Sequence, residues 1–400
     1  MSSVNTNMGA VVSAANMAKF GRELDTSIER LSSGLRINSA QDDPAGMAIV
    51  SKMEAQVRGV TQAIRNATDS QKLIDTSEGA HVETLNILQR MRELAVQSSN
   101  DTNQAIDRTF LNAEVTQLIA EIDRIADQTT WNGAKILDGT FSSKQFQLGA
   151  NANEKVTYSI DSAKSAAIGN YKITGTAADE QAATSGIETD TLTISGYIGS
   201  ASVSIAAAAT AKEAAALVNA KTADTGVTAS AVTKAKIDNL LAAGTLTFTL
   251  GNGDDTAAIS ATITDISDLR GLKDAVNAVA GTTGITAEMD STSNAGVVLT
   301  HSSGADIILT GLDNTVASGD LDFAALDADG ASIAAALTVD LSDATVDDVL
   351  AHGQLDFSSH KTFTVAAVED DDTEGFLRAT SNTASLSAVS GISIGTASGA

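Results

Sequence analysis

The chain of 400 residues has no cysteine, a single proline and few aromatic residues. Without cysteine it can form no disulfide scaffold, thiolate nucleophile or cysteine-ligated metal site. Aromatic side chains make up 3% of the sequence, so a core must be built from Ala, Val, Ile and Leu. The four histidines, which show no metal-ligand spacing, are His81, His301, His352 and His360. We therefore expect no metal and no cofactor.

Long apolar runs are also missing. No stretch approaches the roughly 18 residues that cross a membrane, and the N-terminus lacks the charged start and apolar core of a Sec signal peptide. We expect no membrane partner, and a protein that is either cytosolic or exported without such a signal.

Lys and Arg are fewer than Asp and Glu, and the excess of negative charge is unevenly distributed along the chain. Residues 1–160 hold 15 of the 25 Lys and Arg and 19 of the 50 Asp and Glu, a net charge of −4. The other 240 residues carry −21 of the total of −25. An acidic surface of that size argues against nucleic acid as a partner.

The stretch from Ala45 to about Asp127 predicts a long helix, a short turn and a second helix that folds back. Apolar residues at steps of three and four are typical of a coiled-coil seam. The first helix, extending to Ser98, would be about 80 Å long at roughly 1.5 Å per residue. The predicted seam comprises Met53, Val57, Val60, Ile64, Ala67 and Ile74, and Leu111, Val115, Leu118, Ile122 and Ile125.

Residues 2–40 predict another amphipathic helical stretch, which Gly34 and the Asn38–Asp43 cluster break. Pro44 stands where a proline in a first helical turn belongs, and Asp42 and Asp43 are placed to cap the long helix or to interact favourably with its dipole. The apolar stripe of the N-terminal helix is Met17, Phe20, Leu24, Ile28, Leu31 and Leu35.

Beyond Asp127 the pattern changes to strands and turns. Residues 146–148 and 156–160 alternate around a Gly/Asn-rich turn, which predicts a β-hairpin. We interpret Trp131 as a packing anchor where this hairpin meets the helices. The expected fold class is therefore α+β, a helical coiled-coil rod with a β-hairpin, followed by β-rich outer modules.

A strand–strand–helix–strand repeat follows, at about residues 191–232 and 245–300. The predicted helices are Ala211–Ala223 and Ser267–Ala280, and a Gly opens each closing strand. A degraded third unit is predicted over residues 333–378, with a helix at Thr345–Leu350.

No candidate for catalysis emerges. Acidic clusters at 254–255, 327–329 and 369–372 lack calcium-loop spacing, and we interpret them as solvated loops. GxGxxG and GxxxxGK[ST] motifs are absent. These observations predict a protein that is not an enzyme.

Five segments of the helical part occur in an order and spacing that resemble bacterial flagellin, the subunit of the flagellar filament. They are ERLSSGLRINSAQDDPAG (29–46), TQAIRNATD (61–69), LQRMRELAVQ (88–97), EIDRI (121–125) and WNGAKILDG (131–139). The resemblance implies an inner core helix (1–44), an outer core (45–165), a variable outer region (166–378) and a return toward the outer core (379–400).

The resemblance also implies functional residues. Gln89, Arg90 and Leu94, with Glu114 facing them from the second helix, would serve filament packing and be read by the host flagellin-sensing Toll-like receptor. The alternative is an ordinary solvated helix face, in which Arg90 and Glu93 form a salt bridge. Coiled-coil packing is expected from Leu24, Ile28, Leu31, Leu35, Met53, Val57, Val60, Ile64, Leu111, Val115, Leu118 and Ile122.

The implied function is a structural subunit that polymerises into an extracellular filament for motility. Its partners would be other subunits, the flagellar export apparatus and the host receptor. A hook-associated junction protein and a surface adhesin are the alternatives; deleting residues 186–378 should spare motility in a flagellin but abolish an adhesin's activity. Flagellins return through two C-terminal helices that this sequence does not show, so we expect a fragment that does not polymerise alone.

Overall fold

The structure, a computed structural model, describes residues 7–100, 102–175, 181–182, 189–290, 293–314, 320–333, 336–341, 347–367, 376–377 and 381–395. Its architecture is α+β, with long N-terminal helices followed by antiparallel sheets. The helices are α1 Met8–Ser33, α2 Pro44–Ser98, α3 Ala105–Gln128, α4 Ala211–Asn219, α5 Thr222–Thr225 and α6 Arg270–Thr283.

The strands are short and pair antiparallel throughout the described chain. They are β1 Thr130–Trp131, β2 Ala134–Lys135, β3 Lys144–Gln147, β4 Lys155–Tyr158, β5 Gly169–Thr174, β6 Gln181–Ala182, β7 Asp190–Ser195, β8 Ser200–Ile205, β9 Thr228–Asp238, β10 Gly244–Gly251, β11 Thr256–Ile263, β12 Ile285–Met289, β13 Val297–His301, β14 Ile307–Asn314, β15 Leu321–Leu326, β16 Leu337–Val339, β17 Asp347–Ala351, β18 Gln354–Ser359, β19 Thr364–Ala366, β20 Asn382–Thr383 and β21 Ser385–Ala388.

The chain divides into two units, residues 1–88 with 122–163, and residues 89–121 with 164–400. In the first unit, the ends of the helices follow the predicted signals. Gly34 is the C-cap of α1, with φ 67°. Pro44 opens α2, and Asp43 Oδ1 accepts a hydrogen bond from Gly46 N at 2.9 Å. The predicted break at Gly34 and the predicted cap at Asp43 are confirmed, whereas Asp42 accepts hydrogen bonds from Asn38 N and Ser39 N in the turn before α2.

The face of α2 that is buried in the first unit differs from the predicted seam. Ala63, Ser70, Ser77 and Thr84, spaced by seven residues, are buried together with Leu73. Small residues let a neighbouring backbone approach closely, and the Thr84 hydroxyl is satisfied by Ala80 O of its own helix at 3.0 Å. A search for apolar periodicity overlooks such a stripe because its members are mostly polar.

A small core holds the hairpins of the first unit. Leu73 of α2 packs with Ala126, Ile136, Leu137 and Phe141, and Trp131 lies partly buried against this cluster. The anchor predicted at Trp131 is confirmed. The predicted hairpin is β3 and β4, paired from Lys144↔Tyr158 to Gln147↔Lys155.

In the second unit, both complete copies of the repeat are present. The first is β7, β8, α4 with α5, and β9; the second is β10, β11, α6 and β12. In each copy a helix asparagine holds the closing strand: Asn219 bonds both the N and the O of Ala229, and Asn277 does the same with Ala287. Gly226 and Gly284 join helix to strand at φ 74° and 70°, a conformation that favours glycine.

The helix predicted at Thr345–Leu350 is wrong. Residues 347–351 form β17, which pairs with β14 on one side and β6 on the other. Val349 is buried between these partners, and β-branched Val favours a buried strand over a short helix. Sheet pairing thus determines the local structure, and in the described part of 333–378 the third unit contains no helix.

Two hydrophobic cores show that one module is inserted into the other. The first core draws on residues 173–229 and 355–384, and the second on residues 235–351. We call residues 169–232 with 354–391 the parent module, and residues 233–351 the inserted module. β9 serves both, since residues 228–232 pair with β18 and residues 233–237 pair with β13.

The sheets of the two modules reflect this insertion. The strand orders are β11-β10-β14-β17-β6; β12-β13-β9-β18-β5-β21, with β15 on β9 and β16 on β15; and β20-β19-β7-β8.

Candidate interaction surfaces

The apolar stripe of α1 is exposed along its whole length. None of its helical residues is buried. The exposed fractions of Met17, Phe20, Leu24, Ile28, Leu31 and Leu35 range from 55% to 86%. The helix therefore presents a continuous apolar face to solvent.

The first part of α2 does the same. Met53, Val57, Val60 and Ile64 are 48% to 65% exposed, so the part of the chain that the structure describes does not bury these seam residues. Their packing against another chain stays a prediction. On α3, by contrast, Val115 and Ile122 are buried, and Leu111 and Leu118 are half-buried.

Arg90 lies at the centre of an ion-pair cluster on the second unit's helical hairpin. Its Nε and Nη2 donate to Glu114 Oε1 at 3.0 and 2.9 Å, and its Nη1 donates to Glu93 Oε2 at 3.2 Å. Its hydrogen bonds to Glu114 and then to Glu93 raise the pKa of the guanidinium above its ordinary value. The hairpin therefore fixes the guanidinium while leaving it about half exposed.

Gln89 is exposed beside this cluster, whereas Leu94 is 1% exposed. The expectation that Leu94 offers an apolar contact to a partner is therefore wrong. The hairpin buries Leu94, one turn beyond Arg90, while the Arg90 side chain stays at the surface. Of the four predicted interface residues, Gln89, Arg90 and Glu114 remain accessible.

Sequence reasoning missed a docking contact close to this cluster. Asn112 Oδ1 accepts from Ile394 N at 2.9 Å, and Ser98 Oγ donates to Ile394 O at 2.7 Å. Arg108 Nε donates to Ser98 O at 2.9 Å, satisfying a carbonyl at the end of α2. No sequence signal could find this contact, because its two sides lie almost 300 residues apart.

The acidic clusters form surface turns where the structure describes them. Asp254 and Asp255 lie exposed between β10 and β11, and Asp329 is exposed after β15. The cluster at 369–372 falls outside the described residues. Helices among the described residues are either too short or too polar to span a bilayer, and those residues bring no three potential metal ligands together.

Two family models match the chain. Residues 4–142 match the bacterial flagellin N-terminal helical region, which includes α1, α2 and α3. Residues 191–239 and 245–303 match the flagellin hook IN motif, and these ranges contain the two complete repeats.

Two curated relatives and one solved structure are similar to the chain in sequence. The chain is 50% identical over 153 residues to a flagellin of Xenorhabdus nematophila, covering 38% of this chain and 49% of that protein. It is 44% identical over 167 residues to the B-type flagellin of Pseudomonas aeruginosa, covering 42% and 34%. A crystal structure of Bacillus cereus flagellin is 39% identical, covers 24% of this chain and 58% of that one, and has a TM-score of 0.23.

The chain spans about a third to a half of the length of these two curated relatives. The chain is therefore similar to flagellins in residues 4–142, over the N-terminal helical region, and in residues 191–239 and 245–303, over two copies of the hook IN motif.

Proposed function

We propose that the chain is a structural subunit of a bacterial flagellar filament, an extracellular polymer used for motility. The observation that carries this proposal is the exposed apolar face of α1 and of the first part of α2. An isolated helix is marginally stable in water, and burying each Leu or Ile side chain stabilises by roughly 1.5–3 kcal/mol. Packing against helices of a filament would supply that burial.

The distribution of charge supports the same assignment. Residues 1–160 are nearly neutral, while the rest carry a net charge of −21. Like charges on neighbouring copies repel, so a polymer is best built from the near-neutral part. We propose the inner core helix (1–44) and outer core (45–165) for that role, with the acidic region (166–378) outward and residues 379–400 returning to the outer core.

The export apparatus of the flagellum and the host Toll-like receptor are further proposed partners. For the receptor, Arg90, Gln89 and Glu114 offer a fixed guanidinium beside an amide and a carboxylate. A planar guanidinium binds carboxylate and carbonyl groups with defined geometry. A non-enzymatic role fits the flagellin names of the relatives.

The absence of cysteine gives a clean test. Cells that carry the gene would receive Leu24→Cys, Ile28→Cys or, as a control on the acidic surface, Asp254→Cys. Filaments sheared from the cells and depolymerised monomers would then be treated with a maleimide. We expect Cys at 24 and 28 to react at least tenfold more slowly in filaments than in monomers, and Cys at 254 to react equally in both.

Two outcomes contradict the proposal. The chain is not a filament subunit if it is missing from sheared filaments. The apolar face of α1 is not the packing surface if the thiols at 24 and 28 react in filaments as fast as in monomers.

A further inference from the structure

The peptide chain crosses between the parent and inserted modules at two adjacent points. It leaves on β9, where the pairing partner changes from β18 to β13 between Val232 and Thr233. It returns through His352 and Gly353, which connect β17 to β18. The two crossings therefore lie side by side, so contacts at this position can join residues of both modules.

One set of contacts lies on the core face of β9. His352 Nδ1 lies 3.3 Å from Asp306 Oδ2, and these side chains are 4% and 10% exposed. Gly353 permits the close approach, since a Cβ there would lie 2.6 Å from Thr233 Oγ1 and 2.9 Å from Gly304 O. The same Gly304 O accepts from Lys212 N of α4 at 2.9 Å. The turn before β14, in the inserted module, is thus fastened to the parent module's helix and to the return crossing.

Other ionisable groups surround this contact. His301 Nδ1 lies 3.3 Å from Ala305 N, which donates to it, and 3.2 Å from Ser303 Oγ. Burial, and then the nearby Lys212, lower the pKa of His301 below its ordinary value. A neutral His301 is the form that accepts from Ala305 N, so this histidine holds the turn that carries Asp306.

A second set of contacts lies on the opposite face. Strand residues alternate between faces, so Lys234, Gln354 and Asp356 point away from the cores that contain Ala235 and Leu355. Lys172 Nζ of β5 lies 2.9 Å from Asp356 Oδ2, and Gln354 Nε2 donates to Asp356 Oδ1 at 2.7 Å.

This second set continues into the inserted module through Ala328, in the loop after β15. Gln354 Oε1 accepts from Ala328 N at 2.8 Å, and Lys234 Nζ donates to Ala328 O at 2.6 Å. Gln354 and Asp356 are both buried. A chain of polar contacts, buried at Gln354 and Asp356, thus runs from the partly exposed Lys172 of β5 in the parent module to a loop of the inserted one.

We infer that these two sets of contacts, Asp306–His352 and Lys172–Asp356–Gln354–Ala328, form a module clasp that couples unfolding of the parent and inserted modules. Leaving a buried polar group without its partner costs free energy, and a buried carboxylate costs more than a neutral group. Gln354 of the parent module, held by Asp356, bonds Ala328 of the inserted module, and His352 of the return crossing lies beside Asp306, so that cost arises when either module opens separately. The two modules therefore behave as one stiff unit, irrespective of what the outer region binds.

An exposed contact between the same modules provides a matched control. Lys212 Nζ lies 3.9 Å from Asp254 Oδ2, and the Asp254 side chain is 82% exposed. Exposed ion pairs contribute little. Asp254→Asn therefore removes an inter-module carboxylate without touching the clasp.

The test compares the full chain with Asp306→Asn, Asp356→Asn, their double variant and Asp254→Asn, by calorimetry and by hydrogen exchange of β7 and β10 amides. We expect the wild type and Asp254→Asn to unfold these strands in one transition, with equal opening constants for the most protected amides. In the double variant the transition should split, and the opening constants of β7 and β10 should diverge at least tenfold.

The clasp is refuted if the wild type already shows separate transitions for the two strands. It is also refuted if the double variant loses stability equally in both modules and keeps one transition. Should Asp306→Asn or Asp356→Asn fail to fold, Lys172→Met and Gln354→Leu are judged by the same divergence, and the absence of divergence in both refutes the clasp.

Discussion

The N-terminal helix and the nested modules use apolar residues in opposite ways. α1 exposes each residue of its apolar stripe, whereas the two modules bury theirs in cores centred on side chains such as Phe323 and Phe357. Aromatic residues are scarce in the whole chain, so the contrast does not come from composition. It comes from where each region obtains its packing partner.

An exposed apolar stripe is informative about interaction when another region of the same chain buries its apolar side chains. An exposed, periodic stripe of six large side chains indicates an interaction site rather than chance. The modules show that this chain readily builds closed cores from Ala, Val, Ile and Leu. The helices of the first unit therefore expose apolar residues although the same chain can bury them elsewhere.

The largest expected effect comes from replacing phenylalanine with alanine, once in the core of the parent module and once on the exposed stripe of α1. Phe357→Ala should destabilise the parent module by about 3–5 kcal/mol, because it leaves a cavity in a closed core. Phe20→Ala should change the free energy of unfolding of the monomer by less than about 0.5 kcal/mol, because its side chain is 67% exposed. Denaturant unfolding monitored by circular dichroism measures both.

A comparable loss of stability in the two variants would break the comparison. It would mean that α1 already has a packing partner in the monomer, so the exposed stripe would no longer support assembly.

Much of this fold is predictable from the sequence, because the responsible signals are local. Gly34, Asp43 and Pro44 mark the ends of α1 and α2, and both copies of the repeat are visible as alternating strands around a helix. Residues whose structure depends on distant partners are not predictable in this way. Val349 becomes a strand residue because β14 and β6 flank it, and Ile394 docks on Asn112 across 282 positions.

In the candidate site, too, features with local sequence signals are predictable and features that depend on distant partners are not. The pairing of Arg90 with Glu93 lies within one helix and follows from spacing alone. Burial of Leu94 depends on the folded hairpin, so the motif that contains it could not reveal it. The buried face of α2 was missed for a chemical reason, since Ser70, Ser77 and Thr84 carry no apolar signal.

The second prediction sharpens the comparison within one motif. Leu94→Ala should destabilise the chain by about 2–5 kcal/mol, as expected for a buried leucine. Arg90→Ala should leave the unfolding midpoint nearly unchanged, because exposed ion pairs contribute little. It should weaken signalling through the host receptor at least tenfold, if the exposed guanidinium is the contact.

Denaturant unfolding and a receptor reporter assay separate these effects, with Arg92→Ala as a matched arginine control, since Arg92 is also exposed on α2. Full signalling by a folded Arg90→Ala variant would remove Arg90 from the proposed contact. An unchanged midpoint for Leu94→Ala would show that Leu94 is not buried in solution.

The smallest expected effect concerns the turn that leads from α1 to α2, and it appears only in acid. Asp42 accepts hydrogen bonds from Asn38 N and Ser39 N, both at 3.2 Å, and Arg30 lies 3.7 Å away. These backbone bonds are the main cause that lowers the pKa of the Asp42 carboxyl below its ordinary value. Because the folded pKa is lower than the unfolded value of about 3.9, the turn gains stability above that pH. This stability is lost as the pH falls through the folded pKa.

Nuclear magnetic resonance titration of the Asn38 and Ser39 amides should therefore give a shared midpoint below about pH 3.9, and Asp42→Asn should abolish it. A midpoint at or above that value would mean that the turn does not hold the carboxylate in solution, and that the helices of the first unit lack even this polar fastening between them.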